Sequence, residues 1–216
     1  MTTENATLPL PGISVLRDLG RSAALLEFLV APDNRFPTHG FQAGGLPGWD
    51  LMTFDNGGGD GYAIALSPTA ALIRCFDHES AMSPYANDGE IWPGVADPVP
   101  AEFVPLLSAP EFVGPDEPEV TALLWRGAGD DSWRTGAVEF PDEDPDADGA
   151  GWLLDRLYAE DPALEFCHHF NRDYRRDLDL AAVRRVFAGG PLTAEVVAGI
   201  NTDQDPETLL RRASEL

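Results

Sequence analysis

Lysine is missing from this chain: all 14 basic residues are arginine, set against 37 acids, for a formal net charge of −23. A surface of that sign repels nucleic acid and anionic lipid, which argues against direct binding to either. Without lysine there is also no Walker-type phosphate loop. The absence itself reads as codon bias rather than chemistry. Cysteine is scarce. Cys75 sits in a strand pattern and Cys167 in a helix pattern, and their apolar contexts predict reduced core residues, as in a cytosolic protein. No apolar run approaches the ~20 residues of a membrane span. Residues 1–12 carry neither a basic n-region nor an apolar h-region, so no signal peptide is expected. These absences predict a soluble, cytoplasmic protein. The chain also has no Gly-x-Ser-x-Gly elbow, no defensible Cys–His pairing, no repeat of fixed period and no low-complexity tract.

What is present supports a folded core of ordinary size: 216 residues, 44% apolar and 9% aromatic. Val15, Leu16, Leu19, Ala23, Leu26 and Val30 recur at helical spacing. They predict a helix over 13–31, with Ser14 as cap and Pro32 as stop. Residues 33–48 read as a Gly/Pro-rich loop. Strands are expected over 49–54, 62–66 and 70–76, then an irregular stretch over 82–99 and a short helix over 101–107. A second hairpin is expected from strands over 120–126 and 135–140 around a 127–131 turn, and a helix over 152–160. Asp161-Pro162 and Asp205-Pro206 each pair a capping acid with a first-turn proline. With Asp179 as a further cap and a helical pattern over 193–200, they predict four short helices. The fold class is therefore α+β: a mainly antiparallel central sheet, an N-terminal helix and a C-terminal group of short helices. The expected organisation is a flexible tail over 1–12, an α+β core domain over 13–160, and a helical extension over 161–216 packed on the core.

Charge is uneven along the chain. Residues 109–160 hold 14 acids and 3 arginines, whereas 161–216 hold 10 and 7. The acidic middle would attract a basic protein and speed encounter with it; the plainer reading is solubility. Arg172, Arg175, Arg176, Arg184 and Arg185 read as partners for the chain's own acids, Asp173 and Asp177 among them. The summed charge disfavours a helix-turn-helix there.

The most informative stretch is 49–85. A glycine-rich acidic loop, Asp55-Asn56-Gly57-Gly58-Gly59-Asp60, precedes the 62–66 run, and Asp77-His78-Glu79-Ser80 follows the 70–76 run. A hairpin brings its outer ends together, so Asp55, Asp60, Asp77, His78 and Glu79 are expected at one edge of a sheet. Strand alternation would put Asp77 and Glu79 on one side and His78 on the other. Two chemistries fit: carboxylates presented to a basic partner, or a metal-assisted hydrolase using all five groups. The plainer alternatives are a glycine turn with acids as local caps and a structural histidine. His39, His168 and His169 lack recognisable ligand spacing.

Three of these features, in this order, resemble the SUKH superfamily, which joins bacterial toxin-immunity proteins with fungal cell-wall regulators. They are a helix ending in Phe-Leu (Leu26-Glu27-Phe28-Leu29), the acidic glycine turn (Asp55 to Asp60), and a strand ending near Asp-His-Glu (Phe76-Asp77-His78-Glu79). The resemblance covers roughly residues 20–85. It implies an α+β fold that binds and neutralises a partner toxin, with no catalysis of its own.

Two further features have competing readings. Asp144-Pro145-Asp146-Ala147-Asp148-Gly149 matches the first half of a calcium loop, with Asp155 at the twelfth position. The alternative is an acidic turn ending in a helix N-cap. Tyr85, Trp92 and Trp133 would anchor an interface if exposed and pin loops if buried. The expected partner-binding set is Asp55, Asn56, Asp60, Asp77, His78, Glu79, Tyr85 and Trp92. It would meet a protein partner, a basic toxin such as a nuclease, with no catalytic residue, no resident metal and no cofactor. An interaction module with a different partner would use the same surface.

Overall fold

The computed structural model describes residues 8–114, 118–141, 144 and 146–215. Helix α1 spans Ile13–Val30 and buries Leu16, Leu19, Ala23, Leu26 and Leu29 along one stripe. Gly12, not Ser14, is its N-cap, with no side-chain bond. The helix stops before Pro32, and the Ala31 amide closes on the Glu27 carbonyl.

Among the described residues, six strands form one antiparallel meander in sequence order. They are β1 (His39–Leu46), β2 (Trp49–Asp55), β3 (Gly61–Leu66), β4 (Ala71–Phe76), β5 (Ala122–Arg126) and β6 (Arg134–Thr135). Strand β1 corrects the expected loop over 33–48. It is an edge strand with a register break between Gln42 and Leu46, and its middle is exposed. An edge that buries so little shows no apolar alternation to read. Strand β6 ends at Thr135, well short of the expected 140. There the chain turns to meet the 92–97 loop: a Cβ at Gly94 would lie 2.3 Å from the Ala137 carbonyl oxygen, and Trp92 Nε1 donates to the Glu139 carbonyl at 3.0 Å.

Both faces of the sheet are covered, which is why β3 and β4 read as continuous apolar runs. Tyr62, Ile64, Leu66, Ile73 and Cys75 face α1 and the C-terminal helices. Ala63, Ala65 and Leu72 face Phe103, Leu106 and Phe112, supplied by the 3-10 turn Val104–Ser108, its flank and helix α2 (Pro110–Val113). Arg74, on that second face, donates to the Phe112 carbonyl at 2.9 Å and the Glu119 carbonyl at 3.0 Å. Its charge is thereby bonded within an otherwise apolar layer.

The expected helix over 152–160 is two single turns, α3 (Ala150–Leu153) and α4 (Asp155–Tyr158), broken at Leu154. Trp152 Nε1 donates to Asp77 Oδ2 and holds the first turn to the hairpin end, and Tyr158 Oη donates to the Gly151 carbonyl and ties the second turn back to the first. Helices α5 (Pro162–Tyr174), α6 (Leu180–Phe187), α7 (Ala194–Ile200) and α8 (Pro206–Ala213) follow, capped by Asp161, Asp179, Thr193 and Asp205. They share one hydrophobic cluster with α1 and the sheet. Asn201, buried, donates to the Leu29 carbonyl at 2.8 Å and joins α7 to the end of α1. Arg172, Arg176, Arg184 and Arg185 pair with Asp173, Asp203, Asp161 and Glu195. Trp133 is buried and donates to the Pro11 carbonyl; Cys75 and Cys167 are buried and unbridged. No described helix is long and apolar enough to cross a membrane.

Gly61 opens β3 opposite Asp55, and a Cβ there would lie 2.1 Å from the Phe54 carbonyl oxygen. Gly61→Ala is expected to lower stability by about 1–3 kcal/mol, read as a lower urea midpoint at unchanged m. An unshifted midpoint would refute this contact.

Candidate functional site

The turn between β2 and β3 and the chain leaving β4 emerge side by side, because Gly61 pairs with Phe76. Asn56 organises the turn: its Oδ1 accepts from the Gly58 and Asp60 amides, and its Nδ2 donates to Asp60 Oδ2 at 2.7 Å. Asp60 Oδ1 then accepts from the His78 amide at 2.9 Å and faces His78 Nδ1 at 2.6 Å. Asp77 Oδ1 accepts from the Glu79 amide and Oδ2 from Trp152 Nε1, both at 3.0 Å. Thr121 links this corner to the next segment. Its Oγ1 accepts from the Asp77 amide and donates to the Asp148 carbonyl. Ser80 Oγ donates to the Ala147 carbonyl.

These links bring the 144–149 turn against the hairpin end and leave an open groove of about 530 Å³ between them. Its walls carry Asp60, Asp77, Glu79, Asp144 and Asp146, with Trp152 beside them, and no arginine lines it among the described residues. Ligand atoms of Asp60, Asp77 and His78 lie within 4.8 Å of one another.

The electrostatics of the corner follow from these bonds. The hydrogen bond to Asp60 raises the His78 pKa above its ordinary 6.5, against a smaller desolvation effect, and the charges of Asp60, Glu79 and Asp77 add to the rise. Partial burial works against the Asp60 charge, but bonds from the His78 ring, the His78 amide and Asn56 hold its carboxyl below the usual range. Burial pushes Asp148 up to about 6; the bond from the Ala150 amide opposes this, and the negative charge of Asp146 adds to it.

Of the residues expected at the site, Asp60, Asp77 and Glu79 line the groove, and His78 is bonded at its rim. They gather at strand ends rather than along a sheet edge. The strand stops at Phe76, so alternation does not separate His78 from Asp77. Asn56 acts through Asp60. Asp55 turns to its own loop, accepting from the Gly57 amide at 2.7 Å, and is not part of the groove wall. Tyr85 is 62% exposed and stands edge-on to Phe76. Trp92 is half-buried and ties the 92–97 loop to Glu139. In the expected calcium loop, Asp148 and Asp146 accept from the Ala150 and Gly151 amides at the start of α3; the N-cap itself is Gly149, with no side-chain cap bond, and Pro145 lies outside the described residues. Sequence reasoning did not join Asp144, Asp146 and Trp152 to the hairpin. The acid-rich turn ahead of a helix was visible, but the Thr121 and Ser80 links that dock it are long-range.

Two substitutions test this geometry. Asp60→Asn removes the charge facing His78, and an NMR titration is expected to show the His78 pKa falling back toward the ordinary imidazole value; an unmoved value contradicts the pairing. The folded pKa of Asp148 lies above its ordinary 3.8, so ionising it costs stability as pH rises through about 6. Asp148→Asn keeps an acceptor for Ala150 and is expected to gain roughly 1–2 kcal/mol near neutral pH, fading to nothing below 4. Urea midpoints at both ends of that window check this, and an equal gain at both would rule out ionisation as the cause. Compared with models of protein families, with curated proteins and with solved structures, the chain matches none.

Proposed function

We propose that the chain is a binding protein of the immunity type, whose acidic groove receives basic side chains of a protein toxin. One observation carries the reading: carboxylates from three separate segments converge on one groove with no arginine among its described lining residues. Exposed Trp152 at the wall and exposed Tyr85 against Phe76 offer flat surfaces for an arginine or an apolar neighbour to rest on. The net charge of −23 would steer a cationic partner toward this side of the molecule. The α+β fold is also what the SUKH resemblance implies. A basic nuclease fits as partner, since its own active-site cations would meet the carboxylates.

A second reading, a metal-assisted hydrolase, rests on the spacing of Asp60, Asp77 and His78. The bond to Asp60 raises the His78 pKa, so a metal on that ring would compete with a proton and bind less well as pH falls. Marked thermal stabilisation by Mg²⁺, Mn²⁺ or Zn²⁺ would favour this reading.

The test compares two charge-matched variants. Glu79→Gln/Asp144→Asn/Asp146→Asn removes three groove charges and keeps every acceptor. Asp18→Asn/Glu165→Gln/Glu207→Gln removes three exposed charges elsewhere. A basic toxin captured from the host at low salt is expected to bind the groove variant about tenfold or more weakly, and the control variant almost as well as the parent. Equal weakening by both variants would reduce the attraction to net charge and defeat the site assignment.

A further inference from the structure

Behind the groove, on the α1 side of the sheet, lies a buried polar cluster that neither reading uses. Glu27 of α1 is 1% exposed. It accepts from the Thr38 amide at 2.6 Å, Thr38 Oγ1 at 2.9 Å, the His39 amide at 2.7 Å and Tyr174 Oη at 2.5 Å. Its Oε2 also lies 3.0 Å from His39 Nδ1. Burial works to raise the Glu27 carboxyl, but bonds from His39, Tyr174 and Thr38 outweigh it and bring the value down to about 2. The carboxylate is ionised, so His39 Nδ1 carries the proton that faces it.

That assignment leaves a lone pair on His39 Nε2, and this buried atom has no partner among the described residues. His169 of α5 packs against this ring. Its Nδ1 lies 3.3 Å from Arg172 Nη2 and 3.2 Å from Asp173 Oδ2, and its Nε2 is buried with no partner among the described residues. The side chains are 1% and 6% exposed, with ring centroids 5.2 Å apart. Phe54, Phe166 and Phe170 pack around His39. A proton added to His39 Nε2 would create a buried N–H with no acceptor among the described residues, and protonating both rings would set two positive charges across the ring contact.

The geometry points to an acid-responsive joint: protonation of His39 and His169 loosens the packing of α5 against α1 and β1. The charged and titratable groups around the pair are Glu27 from α1, Arg172, Asp173 and Tyr174 from α5, and Arg156 from α4, whose guanidinium lies over the Phe54 ring at 5.1 Å. Glu27 and Asp173 favour protonation; burial and Arg156 oppose it. The outcome at each ring follows. Burial lowers His39, and its bond to Glu27 offsets this only in part. Burial first, then the positive charge of Arg156, lowers His169 to about 4, and a proton on His39 would add to the effect. A histidine depressed in the folded state is neutral there while the unfolded chain still takes up protons. Stability from the pair is therefore complete above 6.5 and is lost as pH falls from 6.5 toward 4.

The joint does not depend on what the groove binds, and the test uses the whole chain alone. Imidazole resonances are followed from pH 8 downward, and amide exchange is compared at pH 7.5 and 5 after correction for intrinsic rates. Both rings are expected to stay neutral well below 6.5. Protection of the Thr38–Phe41 amides and of α5 is expected to fall at least tenfold further than that of β3 and β4. Either ring titrating at 6.5 or above, or a fall shared evenly with β3 and β4, would overturn the proposal. His169→Phe matches the ring's aromatic surroundings and is expected to shrink the acid response of α5; an unchanged response would count equally against it. Should that variant fail to fold, the two measurements on the parent chain still decide.

Discussion

The sheet is covered on both faces, and this constraint places everything polar. All six residues of β3 and five of the six in β4 are buried. A carboxylate pointing off either face would be desolvated without a partner, at a cost of several kcal/mol. The one charged side chain of β4, Arg74, is held by two carbonyls instead. Chemistry that needs water or a ligand must therefore emerge where the chain leaves the sheet. Register decides which ends meet: Gly61 opposite Phe76 sets Asp60 beside Asp77 and His78, and Thr121, just before β5, brings in the 144–149 turn.

The opposite problem is solved at Glu27, a charge that is buried. Its oxygens collect donors from the chain entering β1 and from α5, so one carboxylate joins three elements that are remote in sequence. Removing one partner of such a buried set typically costs about 3–5 kcal/mol, because the charge that remains is unsatisfied. The same set reaches toward the groove. The Thr38 carbonyl accepts from the Asp55 amide at 2.8 Å, at the foot of the glycine turn that carries Asp60. The segment 38–39 thus links the buried cluster to the foot of the turn that carries Asp60.

Much of the architecture could be read from local signals. The helix stripe of α1, the apolar runs of β3 and β4, and the capping acids at Asp161, Asp179 and Asp205 are each set by residues within a few positions of one another. Their structure follows the reading closely. What escaped depended on distant partners. Strand β1 exists because Phe41, His39 and its neighbours pair with β2, not because HGFQAGGL favours a strand. Thr135 onward was expected to extend a hairpin and instead packs against the 92–97 loop. Within the site, the hairpin end was legible from spacing alone, since a hairpin returns to its start. Asp144, Asp146 and Trp152 were not, because side-chain bonds across many tens of residues dock them. His39 and His169 were visible only as unassigned histidines; their significance lies in Nε2 atoms that find no partner among the described residues.

The way the groove's acids are satisfied bears on what they can do. Asp77 is bonded by an indole and an amide, Asp146 by the Gly151 amide and Asp144 by the Asp146 amide. These dipoles position the oxygens without cancelling their charge. Only Asp60 faces a group that can become cationic, His78. Elsewhere the chain neutralises acids with arginine, as at Asp50, Asp130, Asp161 and Asp203. A cationic partner reaching those acids would first have to displace an internal arginine, and the exchange would gain little. In the groove it would meet carboxylates already held in place and, among the described residues, not paired with any arginine. Their mutual repulsion, which adds to the burial that raises the pKa of nearby Asp148, would be relieved as a cation arrived. At physiological salt the attraction fades over about 8 Å, so this gain belongs to groups that enter the groove itself.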